Sequence, residues 1–332
     1  MPREWVIDSY DSYNALRLQD CAIEEPGPTE VRLKVEAFAL NWGDEDLMRD
    51  NYSFSFSSLP ARIGIEAAGV VEAVGKDVQG IKVGQRYCTL PYFYDKRGAS
   101  ADTVLIDQAY LTPAPEGLSA VESASVWMQF MTAYFPMIEL AKAAPGRTIF
   151  VPAGTSTAGN AAIQIAKQAG ATVITSTRQT RNEALLQSDG ADHVFVDQGQ
   201  DLEAYLRKVT NGKGVNASFD PVGGGFMDRY ANAMSKGGTL MLYGGLDGTY
   251  DLPPFLPMIQ NSLWFHTYSL FNYVEDVAAC ARGTAFVHAA LSKGRLKPKI
   301  DRVFPMEGYK DAWVYLKGAR DSYGKVVVET GA

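Results

Sequence analysis

The chain has 332 residues, 46% hydrophobic and 21% charged, with a formal net charge of -7, which is material for a sizeable core and for two domains. Its acidic balance gives no general electrostatic reason to bind nucleic acid or an anionic membrane surface, so any attraction for anions has to be local. No apolar run reaches the roughly 20 residues needed to cross a bilayer, and the start, MPREWVIDSYDSYN, lacks a signal-peptide core; a cytoplasmic protein is expected, with no nucleic-acid or membrane partner.

The first third reads as strands. EVRLKVEAFALN and AAGVVEAVG carry β-branched and apolar residues in short runs, and KDVQGIKVGQRYCTL adds glycine-bounded strands, the texture of a small β-barrel. From about residue 118 the pattern changes. SAVESASVWMQFMTAYFPMIELAKAA predicts a helix that Pro136 kinks or breaks. RTIFVPAG is a buried strand and TAGNAAIQIAKQAG a helix closed by Gly170. The alternation then repeats: strand TVITSTR, helix NEALLQSDG, strand DHVFVD, helix LEAYLRKVTNG, strand ASFDPV, helix FMDRYANAMSKGG, strand TLMLYGG. Such alternation predicts a parallel sheet with crossover helices. Helices and a final strand in GKVVVE close the chain.

Cys21, Cys88 and Cys280 lie far apart with no CxxC pair, and His193, His266 and His288 form no HExxH pair, so neither a disulfide framework nor a zinc cluster is predicted. The chemistry-bearing stretch is the turn Gly154-Thr155-Ser156-Thr157-Ala158-Gly159 between a strand and a helix. There the backbone can turn tightly while unpaired N–H groups of the helix start face an anion, a geometry suited to a dinucleotide pyrophosphate. Ser156 stands where a G-x-G-x-x-G motif has its middle glycine, and a plain strand-to-helix connection fits the same two glycines. The next strand ends in Ser176, Thr177, Arg178 and, slightly further, Arg181, with no carboxylate. NAD sites favour an acid at that place and NADP sites an arginine, so NADPH is the expected cofactor; the alternative is a solvated polar loop.

GIEAAGVVEAVG (64–75), LNWGDEDLMRDNY (40–52), FMTAY (130–134), the glycine turn, GADHV (190–194), DPVGG (220–224) and GKVVVE (324–329) stand in one order along nearly the whole chain. In that order and spacing the chain resembles the zinc-independent medium-chain dehydrogenases/reductases, the group of quinone oxidoreductases and enoyl reductases. The resemblance implies an α/β protein with a GroES-like β-barrel catalytic domain and a Rossmann doubly wound parallel-sheet domain. The expected divisions are 1–120 for the first part of the catalytic domain, 121–262 for the NADPH-binding domain, and 263–332 for the return to the first. Asn41, Ile65 and Met128 fall where zinc-dependent relatives place their catalytic ligands, and none offers a thiolate or imidazole. PYFYDKRGAS has no cysteine where those relatives carry a four-cysteine lobe, so no metal is expected.

The same resemblance places Tyr52 near the nicotinamide as the candidate proton donor. It places Asn41 and Thr132 at the nicotinamide ribose, Gly244 against the nicotinamide, and Phe271 and Lys325 along the cofactor groove. Asp46 stands where quinone reductases have a second tyrosine, and VDQ follows GADHV where they have YRE-like residues. The implied function is NADPH-dependent, metal-free hydride transfer to a quinone or an α,β-unsaturated carbonyl compound, in a homodimer formed through the sheet edges near TLMLYGG and SLWFHTY. A zinc-independent alcohol or aldehyde reductase and a non-catalytic NADPH-binding protein are the alternatives.

Overall fold

A computed structural model describes residues 1–332 except Phe93, Lys96, Tyr250 and Ala332. The strands are β1 (Arg3–Ile7), β2 (Leu16–Asp20), β3 (Glu30–Ala39), β4 (Ala61–Arg62), β5 (Ala67–Val74), β6 (Arg86–Thr89), β7 (Thr103–Asp107), β8 (Leu111–Pro113), β9 (Thr148–Val151), β10 (Thr172–Thr177), β11 (His193–Val196), β12 (Val215–Asp220), β13 (Met234–Leu242), β14 (Trp264–Thr267), β15 (Ile300–Pro305) and β16 (Lys325–Glu329). The α-helices are α1 (Trp42–Met48), α2 (Ala120–Ser123), α3 (Trp127–Tyr134), α4 (Thr157–Gln168), α5 (Glu183–Ser188), α6 (Leu202–Val209), α7 (Phe255–Gln260), α8 (Phe271–Val274), α9 (Val277–Ser292) and α10 (Tyr309–Lys317). No helix among the described residues is long and apolar enough to cross a membrane.

The chain forms two compact units, Met1–Met128 with Lys297–Ala332, and Gln129–Leu296. In the first, β15-β16-β3-β5-β6-β8 form a mostly antiparallel sheet with β7 added on β3, and a three-stranded sheet runs β2-β1-β4. The long strand β3 organises it. Val31, Leu33, Val35 and Ala37 alternate inward and are wholly buried, as a strand with one core face requires. The last strand, β16, comes from the other end of the sequence and pairs antiparallel with β3, Val328 opposite Phe38. Both ends of the chain therefore build this unit.

The second unit is a six-stranded parallel sheet in the order β11-β10-β9-β12-β13-β14. The order reverses direction between β9 and β12, the switch point at which doubly wound sheets bind their ligands. Phe150, Ile174, Phe195, Leu206, Tyr230 and Leu240 form the core of one layer.

Three local expectations are modified. The run FMDRYANAMSKGG is not an α-helix: two 3-10 turns span Gly224–Arg229 and Ala231–Ala233, and Met234 already begins β13, opposite Val215. Tertiary bonds override helix propensity there, since the Tyr230 hydroxyl donates to Asp220 Oδ2 at 2.7 Å and fixes the turn. Pro136 does not end its helix outright; α3 continues as a wider π-helical turn, Phe135–Leu140. The chain returns to the first unit at Lys297 rather than at 263, because β14 pairs with β13 and holds the segment that follows in the second unit.

Candidate functional site

In the second unit β9 runs into the turn 152–156, and Ser156 caps α4, its hydroxyl accepting from the Gly159 amide at 3.1 Å. That capping serine spends one donor and leaves the amides of the first turn of the 12-residue helix facing outward, with the positive end of its dipole. The turn is pinned to β10: Gly154 N donates to Ser176 O at 3.0 Å and Ala153 N to Ser176 Oγ at 3.2 Å. A Cβ on Gly154 would lie 2.1 Å from Thr175 Oγ1, and that oxygen is committed to Val151 O at 2.7 Å. Only glycine lets the two strand ends approach this closely.

Ser176 and Thr177 are buried at the end of β10, whereas Arg178 and Arg181 are exposed. Across the switch point, Asp220 ends β12 and accepts from the Val222 and Gly223 amides, which shapes the DPVGG turn. Burial pushes its carboxyl up, against the pull of the Tyr230 bond. Gly244 is exposed past β13, Thr132 is half-buried on α3, and Phe271 is buried at the start of α8.

The first unit holds a polar cluster that composition alone does not reveal. Asn41 precedes α1, Glu66 precedes β5, and Lys325 opens β16; Glu66 and Lys325 are essentially inaccessible and Asn41 is 7% exposed. Lys325 Nζ lies 2.8 Å from Glu66 Oε2 and also donates to Asn41 Oδ1. Glu66 Oε1 accepts from the Met128 amide at 2.8 Å. Asp44, wholly buried, accepts from the backbone N–H of Asn41 at 3.0 Å through Oδ2. Burial pushes the Asp44 carboxyl up to about 7, outweighing the Asn41 amide and the Lys325 ammonium, with Glu66 adding to the rise.

Tyr52 is half-buried, its ring edge-on to Phe54 at 5.8 Å between centroids. Its hydroxyl lies over Gly43, where an added Cβ would sit 2.9 Å from the phenolic oxygen. Burial raises the phenol above its ordinary range, with Asp44 and then Asp46 adding to the rise. Asp46 is itself pushed up to about 6 by burial and by Glu45.

The structure thus places Asn41, Lys325 and the backbone of Met128 around one carboxylate, and the Gly154, Ser156, Gly159 and Ser176 groups around one helix start. The sequence reading passed over Glu66 and Asp44, although both lie inside quoted motifs; an acid between apolar residues in GIEAAG was the available signal. The positions Asn41, Ile65 and Met128 do not fit a catalytic zinc. Among the described residues no group of three or more His, Cys, Asp or Glu side chains is arranged to hold a metal ion.

Residues 27–116 match the alcohol dehydrogenase GroES-like domain, and residues 158–280 match the zinc-binding dehydrogenase domain. The synaptic vesicle membrane protein VAT-1 homolog of Rattus norvegicus is 25% identical over 346 residues, 98% of this chain and 83% of the relative. A 2-haloacrylate reductase of Burkholderia is 26% identical over 318 residues, 93% of each chain. A solved mycobacterial structure described as complexed with NADPH superposes with a TM-score of 0.90 at 25% identity, covering 99% of this chain and all of the other. The quinone oxidoreductase of Pseudomonas syringae pv. tomato shares the fold, at a TM-score of 0.91 and 22% identity over 99% and 100% of the two chains. A GroES-like unit joined to a doubly wound nucleotide-binding unit defines an oxidoreductase class. The chain combines an alcohol dehydrogenase GroES-like domain with a zinc-binding dehydrogenase domain, the pair of domains of the medium-chain dehydrogenases/reductases.

Proposed function

We propose that this protein is an NADPH-dependent, metal-free oxidoreductase acting on a quinone or an α,β-unsaturated carbonyl compound. The observation that carries the reading is the end of β10, where Ser176, Thr177 and Arg178 replace the acid of an NAD site beside the Gly154 turn. The residues present fit the dinucleotide: the close approach at Gly154 and the outward amides of α4 suit a pyrophosphate, and the exposed Arg178 and Arg181 suit a 2'-phosphate. The mycobacterial relative solved with NADPH and the 2-haloacrylate reductase support the same direction. Bound NADPH supplies a hydride. In this reading Asn41, Thr132 and Gly244 orient the nicotinamide end, Phe271 and Lys325 line the cofactor groove, and Tyr52 is the proton donor to the carbonyl oxygen or α-carbon.

Arg178→Ala should weaken NADPH binding by about 1.5 to 3 kcal/mol, the worth of a charge-assisted contact, while leaving NADH binding unchanged. Fluorescence titration with the two nucleotides measures this, and Arg181 sharing the phosphate would place the loss at the lower end. Equal affinity of the unmutated protein for NADH and NADPH would refute the assignment.

A homodimer through the edge of the second unit's sheet belongs to the same proposal. Among the described residues β14 pairs only with β13, so its other side offers open backbone groups, and Trp264 on it is 71% exposed. Nearby in sequence, Phe255, Leu256 and Ile259 of α7 are exposed apolar residues. Light scattering should find a dimer of the unmutated chain and a monomer for Trp264→Glu combined with Phe255→Glu; a monomer in both would end this part of the proposal.

A further inference from the structure

We infer that Asp46, with the rings of Trp42 and Tyr52 on its helix face, selects substrates that carry a positively charged ammonium group. This deepens the proposed function, from an enone to an ammonium-bearing enone, and rests on that reading. Asp46 lies in the last turn of α1, four residues after Trp42 and three after Gly43. That spacing puts all three on one face, with the Cβ position of Asp46 about 5 to 6 Å from each of the other two. Trp42 is 46% exposed. The Tyr52 phenolic oxygen would lie 2.9 Å from a Cβ on Gly43, so it reaches the same face. The chain after α1 folds back to bring it there: the backbone N–H of Asn51 donates to the Asp46 carbonyl at 2.9 Å, and Tyr52 follows at once. Beyond it Ser53, Ser55 and Ser57 are exposed while Phe54 and Phe56 turn inward. The rings run on from Tyr52 to Phe54 and from Phe54 to Tyr94, with centroids 5.8 and 6.1 Å apart.

The Asp46 carboxylate is half-buried and, among the described residues, takes part in no hydrogen bond or ion pair. The two cations whose charge reaches it are committed to its neighbour: Arg49 Nε binds Glu45 Oε1 at 2.7 Å, and Lys317 Nζ binds the same oxygen. A negative charge is therefore left unneutralised among aromatic faces, the combination that holds organic cations through charge and ring quadrupole together. The reaction gives it a consequence. Once hydride has reached the β-carbon of an enone, and before a proton reaches the α-carbon, negative charge lies on the carbonyl oxygen. A bare carboxylate nearby raises that barrier, and a cation on the substrate offsets it.

Benzylideneacetone with a para-trimethylammonium group and its para-tert-butyl isostere share a shape and differ in charge. The unmutated protein should favour the cation, and Asp46→Asn should lower the ratio of the two kcat/KM values about tenfold or more, partly by speeding the neutral compound. Each compound is its own reference across the two proteins, so their difference in intrinsic reactivity cancels. Asp46→Glu should keep the preference. Because the carboxylate has no partner to orphan, Asp46→Asn should melt no lower than the unmutated chain. Calorimetric titration with benzyltrimethylammonium reads the site without turnover: Asp46→Asn and Trp42→Ala should each bind it about tenfold more weakly.

An unchanged ratio, an equal loss on both compounds, a lower melting temperature of Asp46→Asn, or a cation that binds both proteins alike would each overturn the inference. Reduction of neither compound by the unmutated protein, with Asp46-dependent binding of benzyltrimethylammonium intact, would instead remove the enone reading and leave the cation site.

Discussion

Tyr52→Phe should lower turnover of an enone or enoyl substrate by roughly 10²- to 10⁴-fold, the range for a positioned general acid, and slow a quinone far less. The substitution keeps the ring and its edge-on contact with Phe54, and removes only the hydroxyl that lies over Gly43. Burial and the nearby acids raise the phenol's pKa, so it carries its proton at neutral pH. Hydride addition to an enone leaves charge on the carbonyl oxygen of a basic enolate, which needs a donor. A quinone yields a stable phenolate that water can protonate later. Steady-state rates for both substrates in one variant separate the roles, and unchanged enone turnover with NADPH still bound would make Tyr52 a pocket wall only. Gly43→Ala offers a second probe: its methyl would press on the phenolic oxygen at 2.9 Å, so it should displace the hydroxyl and give a smaller loss of the same pattern.

Asp44→Asn should stabilise the protein relative to the unmutated chain more at pH 8 than at pH 5, by roughly 2 to 3 kcal/mol. The folded chain holds a proton on Asp44 up to about pH 7, whereas the ordinary value is 3.8. Between these values the unfolded chain has lost that proton and the folded one has kept it. Stability from this group therefore falls as pH rises from about 4 to about 7, by about 1.4 kcal/mol per unit, and is level above. Asparagine keeps an acceptor for the Asn41 amide and never ionises. Lys325 and Glu66 face the carboxyl, as do the protonated phenols of Tyr52, Tyr92, Tyr94 and Tyr309, and all remain in the variant, so they cancel in the comparison. Denaturant unfolding of both proteins at pH 5, 6, 7 and 8 measures the difference, and parallel pH profiles would show that Asp44 does not titrate in this window.

Much of this molecule is local in origin. Period-2 alternation in β3 and the strand-helix rhythm after residue 147 are written in neighbouring residues, because backbone geometry sets those periods. The same holds for the Gly154 turn and the hydroxyls and arginines after β10, which act within a few residues of one another. The 3-10 turns at 224–233 were not legible, since a bond from Tyr230 to Asp220 outweighs propensity there. Nor were the boundaries of the second unit, which depend on β14 finding β13. The cluster around Glu66 is the extreme case: its lysine is 259 positions away from its acid, reckoned as 325 minus 66. Neither residue has a local pattern that names the other. A buried charge acquires its partner only when the last strand closes on β3, so the sequence by itself determined most of the strands and helices and the tight turn at Gly154, while tertiary structure decided the 3-10 turns at 224–233 and which charges meet out of water.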